Sequence, residues 1–373
     1  MKPTRCITFA HCAASALLTL TSLSAQPTEA ENTHKKLRVG IIAPLSGGVA
    51  TWGQSIQHGI ELANAISPTP AELFFEDEQT CVPTKALSAF HALTTQRKID
   101  ILVTSCLGGA RAIAPLAKAK GLPLFISGRS SSEFQRAHPN ALSWLSLLDS
   151  EGKAIGDLVR TKGWSRGVAM VSSDYFGAQF LAGIRAGVRE LQPSFSLLAK
   201  EYSFETPPIG PEVISLLRQK PDVVFMMLSD QSAAFVAKQL RAMQFKGTIV
   251  LQSSMLQTTD QGARATFKGA LQQKFALSDE QFMALRGKIA ERLGQQIADD
   301  FVFSYDGFAA LLKESSLCLG TQDIPLDTCL QQRMRNEAWR TGASGTFRYM
   351  KDGSTERPMI FKTITEAGFE GLR

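Results

Sequence analysis

Only five histidines are spread over the 373 residues of this chain, and no two form an H-x-x-x-H pair. His58, His91 and His138 stand alone in the body of the sequence, so they read as surface or packing residues and no metal site is expected. A nucleophile turn of the G-x-S-x-G kind is missing as well, because Gly342-Ala343-Ser344-Gly345 has the wrong spacing. No G-x-G-x-x-G follows a strand pattern, and there is no phosphate-binding P-loop. Without a nucleophile–base pair or a cofactor motif, neither a cofactor nor an enzymatic activity is expected. The basic residues lack clustering: the longest run is Lys35-Lys36-Leu37-Arg38, and the formal net charge is only +6. Nucleic-acid binding usually needs a basic stripe, so it is not expected either.

Long apolar runs are scarce too, and the one at the amino terminus has a particular layout. Lys2 and Arg5 precede an uncharged stretch, Cys6 to Leu23, which ends in the small residues Ser22-Leu23-Ser24-Ala25. That is the pattern of a secretory signal peptide, expected over residues 1–25 and followed by a polar leader over 26–36. The mature chain is then expected to be soluble and periplasmic. Its four cysteines, Cys81, Cys106, Cys318 and Cys329, suit disulfides in an exported protein. Three pairings are open, and the simplest joins sequence neighbours.

What is abundant is a strand–helix rhythm. Leu37 to Ala63 opens it, with an apolar run Val39–Ala43, a turn through Pro44, Gly47 and Gly48, and a helical face of Ile56, Ile60 and Ala63. Strands are expected at 73–75, 99–103, 123–126, 142–148, 168–171, 197–202, 223–228 and 249–251, with helices between them and a break near 148. After Gly269 the chain reads as mainly helical, including a polar amphipathic stretch at 277–293. The end reads as a strand and tight turn over 345–353, with 359–364 as the return strand. The length allows two domains. The regularity favours open parallel sheets over a (β/α)8 barrel, and such sheets bind ligands beyond the carboxyl ends of their strands. The loops that leave those ends are rich in hydroxyls and glycine: 105–109, 129–132, 229–232 and 253–254. Trp52 in the first turn, with Phe176 and Tyr175, is a candidate to enclose the apolar part of a small solute.

Five stretches together carry a resemblance: VGIIAPLSGGVATWGQSIQHGIELA, the acidic strand end FFEDEQTC, the Cys81 and Cys106 pair, SSDYFG at 172–177, and the closing GTFRYMKDG. The chain resembles the type I periplasmic solute-binding proteins of the leucine/isoleucine/valine-binding kind. The resemblance implies an α/β fold of two doubly wound lobes joined by a three-segment hinge. Lobe 1 is expected over 37–147 and 273–333, and lobe 2 over 148–272 and 334–373. It further implies a monomer that closes on a small-molecule solute and delivers it to ABC permease subunits in the inner membrane.

Position by position, Trp52 matches an aromatic ligand contact. Leu107 stands where amino-acid binders place a serine, leaving the amides of Gly108 and Gly109 to serve. Arg129, Ser130 and Ser131 match a second carboxylate-binding loop, Phe176 an aromatic of the second lobe, and Ser229 a further lining position. Ser253 stands where the ammonium-binding acid of amino-acid members should fall. A buried ammonium without a counter-charge is costly, so a small carboxylate or amide anchored by Arg129 is expected in place of an ordinary amino acid, unless Asp230 substitutes. The expected function is the solute-binding component of a branched-chain-amino-acid-type importer. The alternative is a ligand-sensing subunit built on the same fold.

Overall fold

The structure is a computed structural model that describes residues 36–203, 210–255, 261–275, 299–320 and 323–372. The signal peptide, all of the leader but Lys36, and the amphipathic stretch at 277–293 lie outside the described residues.

Five parallel strands form the first sheet: β1 (Arg38–Ala43), β2 (Glu72–Asp77), β3 (Ile101–Thr104), β4 (Leu124–Ile126) and β5 (Ala141–Ser143), in the order β2-β1-β3-β4-β5. Helices α1 (Ala50–Ala65), α2 (Pro83–Ala92), α3 (Leu107–Ala119) and α4 (Ser132–Ala137) connect them. The sheet is covered on both faces, which is why its strands read as unbroken apolar runs. Val39, Ile41 and Ala43 turn one way, into a cluster with Ile56 and Ile60 of α1 and Phe308 and Leu311 further along the chain. Ile42, Leu102 and Leu124 turn the other way, against Ala86 and Phe90 of α2 and Ile113 of α3.

The second sheet begins after α5 (Leu148–Lys162). Its parallel strands are β6 (Arg166–Ser172), β7 (Ser196–Tyr202), β8 (Val223–Met227), β9 (Thr248–Leu251) and β10 (Leu271–Phe275). They are wound with α6 (Tyr175–Leu191), α7 (Gly210–Leu217), α8 (Asp230–Ala242) and α9 (Gln261–Thr266). Next come α10 (Asp299–Leu319), α11 (Leu326–Met334), a three-stranded antiparallel sheet of β11 (Arg340–Gly342), β12 (Gly345–Tyr349) and β13 (Thr355–Glu356), then β14 (Met359–Ile364) and β15 (Phe369–Gly371). The last two strands complete a seven-stranded sheet of order β15-β14-β10-β9-β8-β6-β7. Both sheets are open, so the fold is two doubly wound lobes and not a barrel.

Helices α5 and α6 touch backbone to backbone. A Cβ on Gly152 would lie 2.1 Å from the carbonyl group of Gly183, and one on Gly187 would lie 2.1 Å from the Gly152 carbonyl oxygen. Only glycine permits that approach, and it seats the first turn of α5 deep between the lobes.

Four expectations are corrected. The strand at 142–148 is only three residues long, because Trp144 and Leu145 leave the sheet to pack inward, Trp144 against Phe125 and Phe308. The stretch after Gly269 holds β10, whose buried Gln272 and Gln273 disguise a strand as polar sequence. The return partner of β12 is β13, while β14 pairs antiparallel with β10. Finally, Phe347 and Tyr349 of β12 share a core cluster with Trp144 and Phe308, so 340–356 packs beside the first sheet, where the second lobe had been expected to hold it. Two disulfides join sequence neighbours, Cys81 to Cys106 and Cys318 to Cys329, with Cα–Cα separations of 5.4 and 5.8 Å.

Candidate functional site

Loops at the carboxyl ends of both sheets enclose a cavity of about 710 Å³. The turn after β1 is pinned by Asp77 at the end of β2, whose Oδ1 accepts from the amides of Leu45 (2.8 Å) and Ser46 (3.2 Å). Burial works against the Asp77 charge, but hydrogen bonds from Ser46, Gln79 and Leu45 outweigh it and hold the carboxyl below its usual range. Gly47 sits at φ +83°, and a Cβ there would meet Thr80 Oγ1 at 2.3 Å. The neighbouring Gly48 amide donates to that same hydroxyl at 3.2 Å. The turn is thus built for glycine, and it leaves Trp52 on the first turn of α1 against the cavity.

The loop after β2 is tied to the start of α3 twice: by the Cys81–Cys106 disulfide, and by Glu78, whose Oε1 accepts from the Cys106 amide at 3.2 Å. Glu78 is fully buried, and that burial, helped by the charge of Asp77, raises its pKa to about 8 against the pull of the Cys106 hydrogen bond. Its Oε2 has no hydrogen-bond partner among the described residues. Leu107 and Gly108, the first residues of α3, line the cavity with Ser105. Opposite them, the second lobe contributes Asp174, Phe176, Ser229, Asp230 and Met255. Asp174 caps α6 by accepting from the Gly177 amide at 2.8 Å, and Ser229 caps α8 by accepting from the Ser232 amide at 3.2 Å.

Of the residues singled out from sequence, Trp52, Leu107, Gly108, Arg129, Phe176 and Ser229 line this one cavity. Ser130, Ser131 and Ser253 do not, because their hydroxyls are spent inside the protein. Ser131 caps α4 by accepting from the Phe134 amide at 3.1 Å, and Ser130 pairs with the side-chain amide of Gln135. Ser253 donates to Glu151 Oε1 at 2.8 Å.

Arg129 differs from its expected role. Its guanidinium is buried at the cavity floor, with Nε 2.5 Å from Glu151 Oε1, Nη1 4.0 Å from Asp300 Oδ1, and the Phe275 ring 5.2 Å away. Two acids of the protein therefore already answer its charge. Glu151 also accepts from Gln252 Nε2 at 2.7 Å, so this network joins β4 of the first lobe to α5 and β9 of the second. Nothing in the sequence marks Glu151, which falls in the stretch Asp149–Gly152 that reads as a change of direction. Glu78 was visible only as part of an acidic strand end. Tyr175 does not line the cavity: its hydroxyl donates to Glu133 Oε1 at 3.1 Å. The Trp52 indole Nε1 is buried and has no hydrogen-bond partner among the described residues.

Among the described residues, no group of three or more His, Cys, Asp or Glu side chains is placed to hold a metal, and no helix is long and apolar enough to cross a membrane.

Solved structures with the same architecture are numerous. A leucine-binding protein of Thermotoga maritima superposes with a TM-score of 0.80 at 16% identity, over 90% of this chain and 98% of the other. An ABC-transporter solute-binding protein of Rhodopseudomonas palustris in complex with benzoate gives 0.78 at 18% identity, covering 90% and 95%. A second from that organism, in complex with 4-hydroxybenzoate, gives 0.78 at 16%, covering 91% and 96%. No curated protein matches the chain in sequence. The periplasmic binding protein family model, however, matches residues 36–368, which takes in both lobes and every loop around the cavity. The chain belongs to the periplasmic binding protein family.

Proposed function

We propose that this protein is the solute-binding component of an ABC importer, exported to the periplasm, and that the interlobe cavity takes a small solute with an acceptor head and an apolar, preferably aromatic, body. The carrying observation is a cavity lined at once by Trp52, Leu107 and Gly108 of the first lobe and by Phe176 and Ser229 of the second. The first-turn amides of α3 at Leu107 and Gly108 add the positive end of a helix dipole to the same wall. Phe176 on the opposite wall and the Trp52 ring supply apolar contact to the body. Because Arg129 is answered by Glu151 and Asp300, the head is held by neutral donors and the arginine acts as floor. The leucine, benzoate and 4-hydroxybenzoate bound by proteins of this fold are solutes of that size and polarity. We place the lobe junctions near residue 147, within 276–298 and near 357.

A thermal-shift screen of the mature chain tests this. L-leucine, L-phenylalanine, benzoate, 4-hydroxybenzoate and phenylacetamide form the panel. A compound present at about 100 times its dissociation constant adds about 2.7 kcal/mol of stability. A clear rise in melting temperature with at least one aromatic member is the expected result. No rise with any member, at millimolar concentration, counts against the proposal.

A further inference from the structure

Helix α4 of the first lobe meets α6 and α5 of the second through polar contacts that lie outside the cavity. Glu133, in the first turn of α4, accepts from Tyr175 Oη at 3.1 Å through Oε1, and from Gln179 Nε2 at 3.1 Å through Oε2. From α3 of the first lobe, the Arg111 guanidinium stacks 4.5 Å from the centre of the Tyr175 ring. Beside them the Ser132 amide donates to Asp149 Oδ2 of α5 at 2.7 Å. Every one of these contacts crosses from one lobe to the other. Tyr175 is also the first residue of α6, held between two cavity-lining residues, Asp174 and Phe176.

We propose that Glu133, with Tyr175, Gln179 and Arg111, forms a latch that holds the lobes closed, so that these residues set how long a solute stays bound although none of them lines the cavity. This rests on the reading of the cavity as the solute site.

The geometry suits a latch better than a permanent brace. Glu133 and Arg111 are exposed, and the carboxylate–phenol and carboxylate–amide bonds join side chains that water can hydrate once the lobes part. Breaking the carboxylate–phenol bond on opening therefore leaves neither of its groups buried and unsatisfied. On closing, one carboxylate gathers two donors and the tyrosine ring receives a cation on its face, contacts that are directional and add together. Burial and the neighbouring Glu133 charge both raise the Tyr175 phenol above its ordinary pKa, which keeps it a donor across the physiological range. A ligand shifts a two-state equilibrium only by its differential affinity for the two states. Any contact that favours the closed state adds to that difference and slows release.

The test is stopped-flow kinetics with the panel compounds benzoate, 4-hydroxybenzoate and L-phenylalanine, following tryptophan fluorescence. Glu133→Ala and Tyr175→Phe are expected to release a bound compound about 5–20-fold faster, with association changed by less than about twofold. Glu133→Gln keeps an acceptor for the tyrosine and is expected to recover most of the wild-type residence time. A merely structural role would lower stability and leave the release rate alone. A wild-type chain that binds, beside a Glu133→Ala chain that releases at the wild-type rate, would overturn the latch and leave the solute-binding reading standing. A wild-type chain silent to every panel compound would overturn the solute-binding reading itself, and the latch with it.

Discussion

Replacing Glu151 by alanine is expected to cost about 3–5 kcal/mol of folding stability, the range for removing one partner of a buried ion pair. The carboxylate is fully buried and serves three donors: Arg129 Nε at 2.5 Å, Gln252 Nε2 at 2.7 Å and Ser253 Oγ at 2.8 Å. Truncation leaves the guanidinium in a dry site, with the nearest other acid, Asp300, 4.0 Å from Nη1. Water cannot replace the lost partner at a side chain only 2% exposed. Urea-unfolding midpoints of the two chains decide it. A Glu151→Ala chain within about 1 kcal/mol of wild type would mean that the pair is solvated in solution.

The second large effect is a pH dependence seated on Glu78. Its carboxyl has an ordinary pKa of 4.5 in the unfolded chain and about 8 in the folded one, raised chiefly by burial. A raised folded pKa means that the folded state binds the proton more tightly. The stability this contributes is fully present below pH 4.5 and is lost as pH rises through about 8. At pH 7 the loss amounts to about 3 kcal/mol. Glu78→Gln keeps an acceptor for the Cys106 amide and cannot ionise. It is therefore expected to be more stable than wild type at pH 7–8, and to show a flatter stability profile between pH 5 and 8. The depressed pKa of Asp77 acts below its ordinary value of 3.8, outside this window. Parallel profiles for the two chains would show that Glu78 is hydrated in solution.

The sequence and the structure agree where local pattern and global packing express the same constraint. Val39–Ala43 could be read as a strand covered on both faces because each of its side chains had to be apolar. The glycine turn could be read because Gly47 must adopt a positive φ. Glu151 and Arg129 could not be read as a pair, since their partnership depends on two lobes meeting and leaves no periodic trace. The strand at 271–275 was hidden for a related reason: Gln272 and Gln273 are wholly buried, yet their amides bond to backbone carbonyls, so hydropathy alone misplaces them. Hydroxyls at strand ends were ambiguous for a chemical reason. A serine beyond a strand serves a helix cap as well as it serves a ligand. Ser131 caps a helix without reaching the cavity, while Ser229 caps a helix and lines the cavity as well.

The cavity bounded by Trp52 and Phe176 is the proposed place where a solute binds. Isothermal titration of the panel compound with the largest thermal shift, into wild-type, Trp52→Leu and Phe176→Ala chains, tests it most directly. Trp52→Leu removes the ring while leaving an apolar side chain in place. Each variant is predicted to weaken binding at least about tenfold, the loss of one aromatic anchor, with heat-unfolding temperatures near wild type. Undiminished affinity in both variants would place the solute elsewhere on the protein and contradict the account.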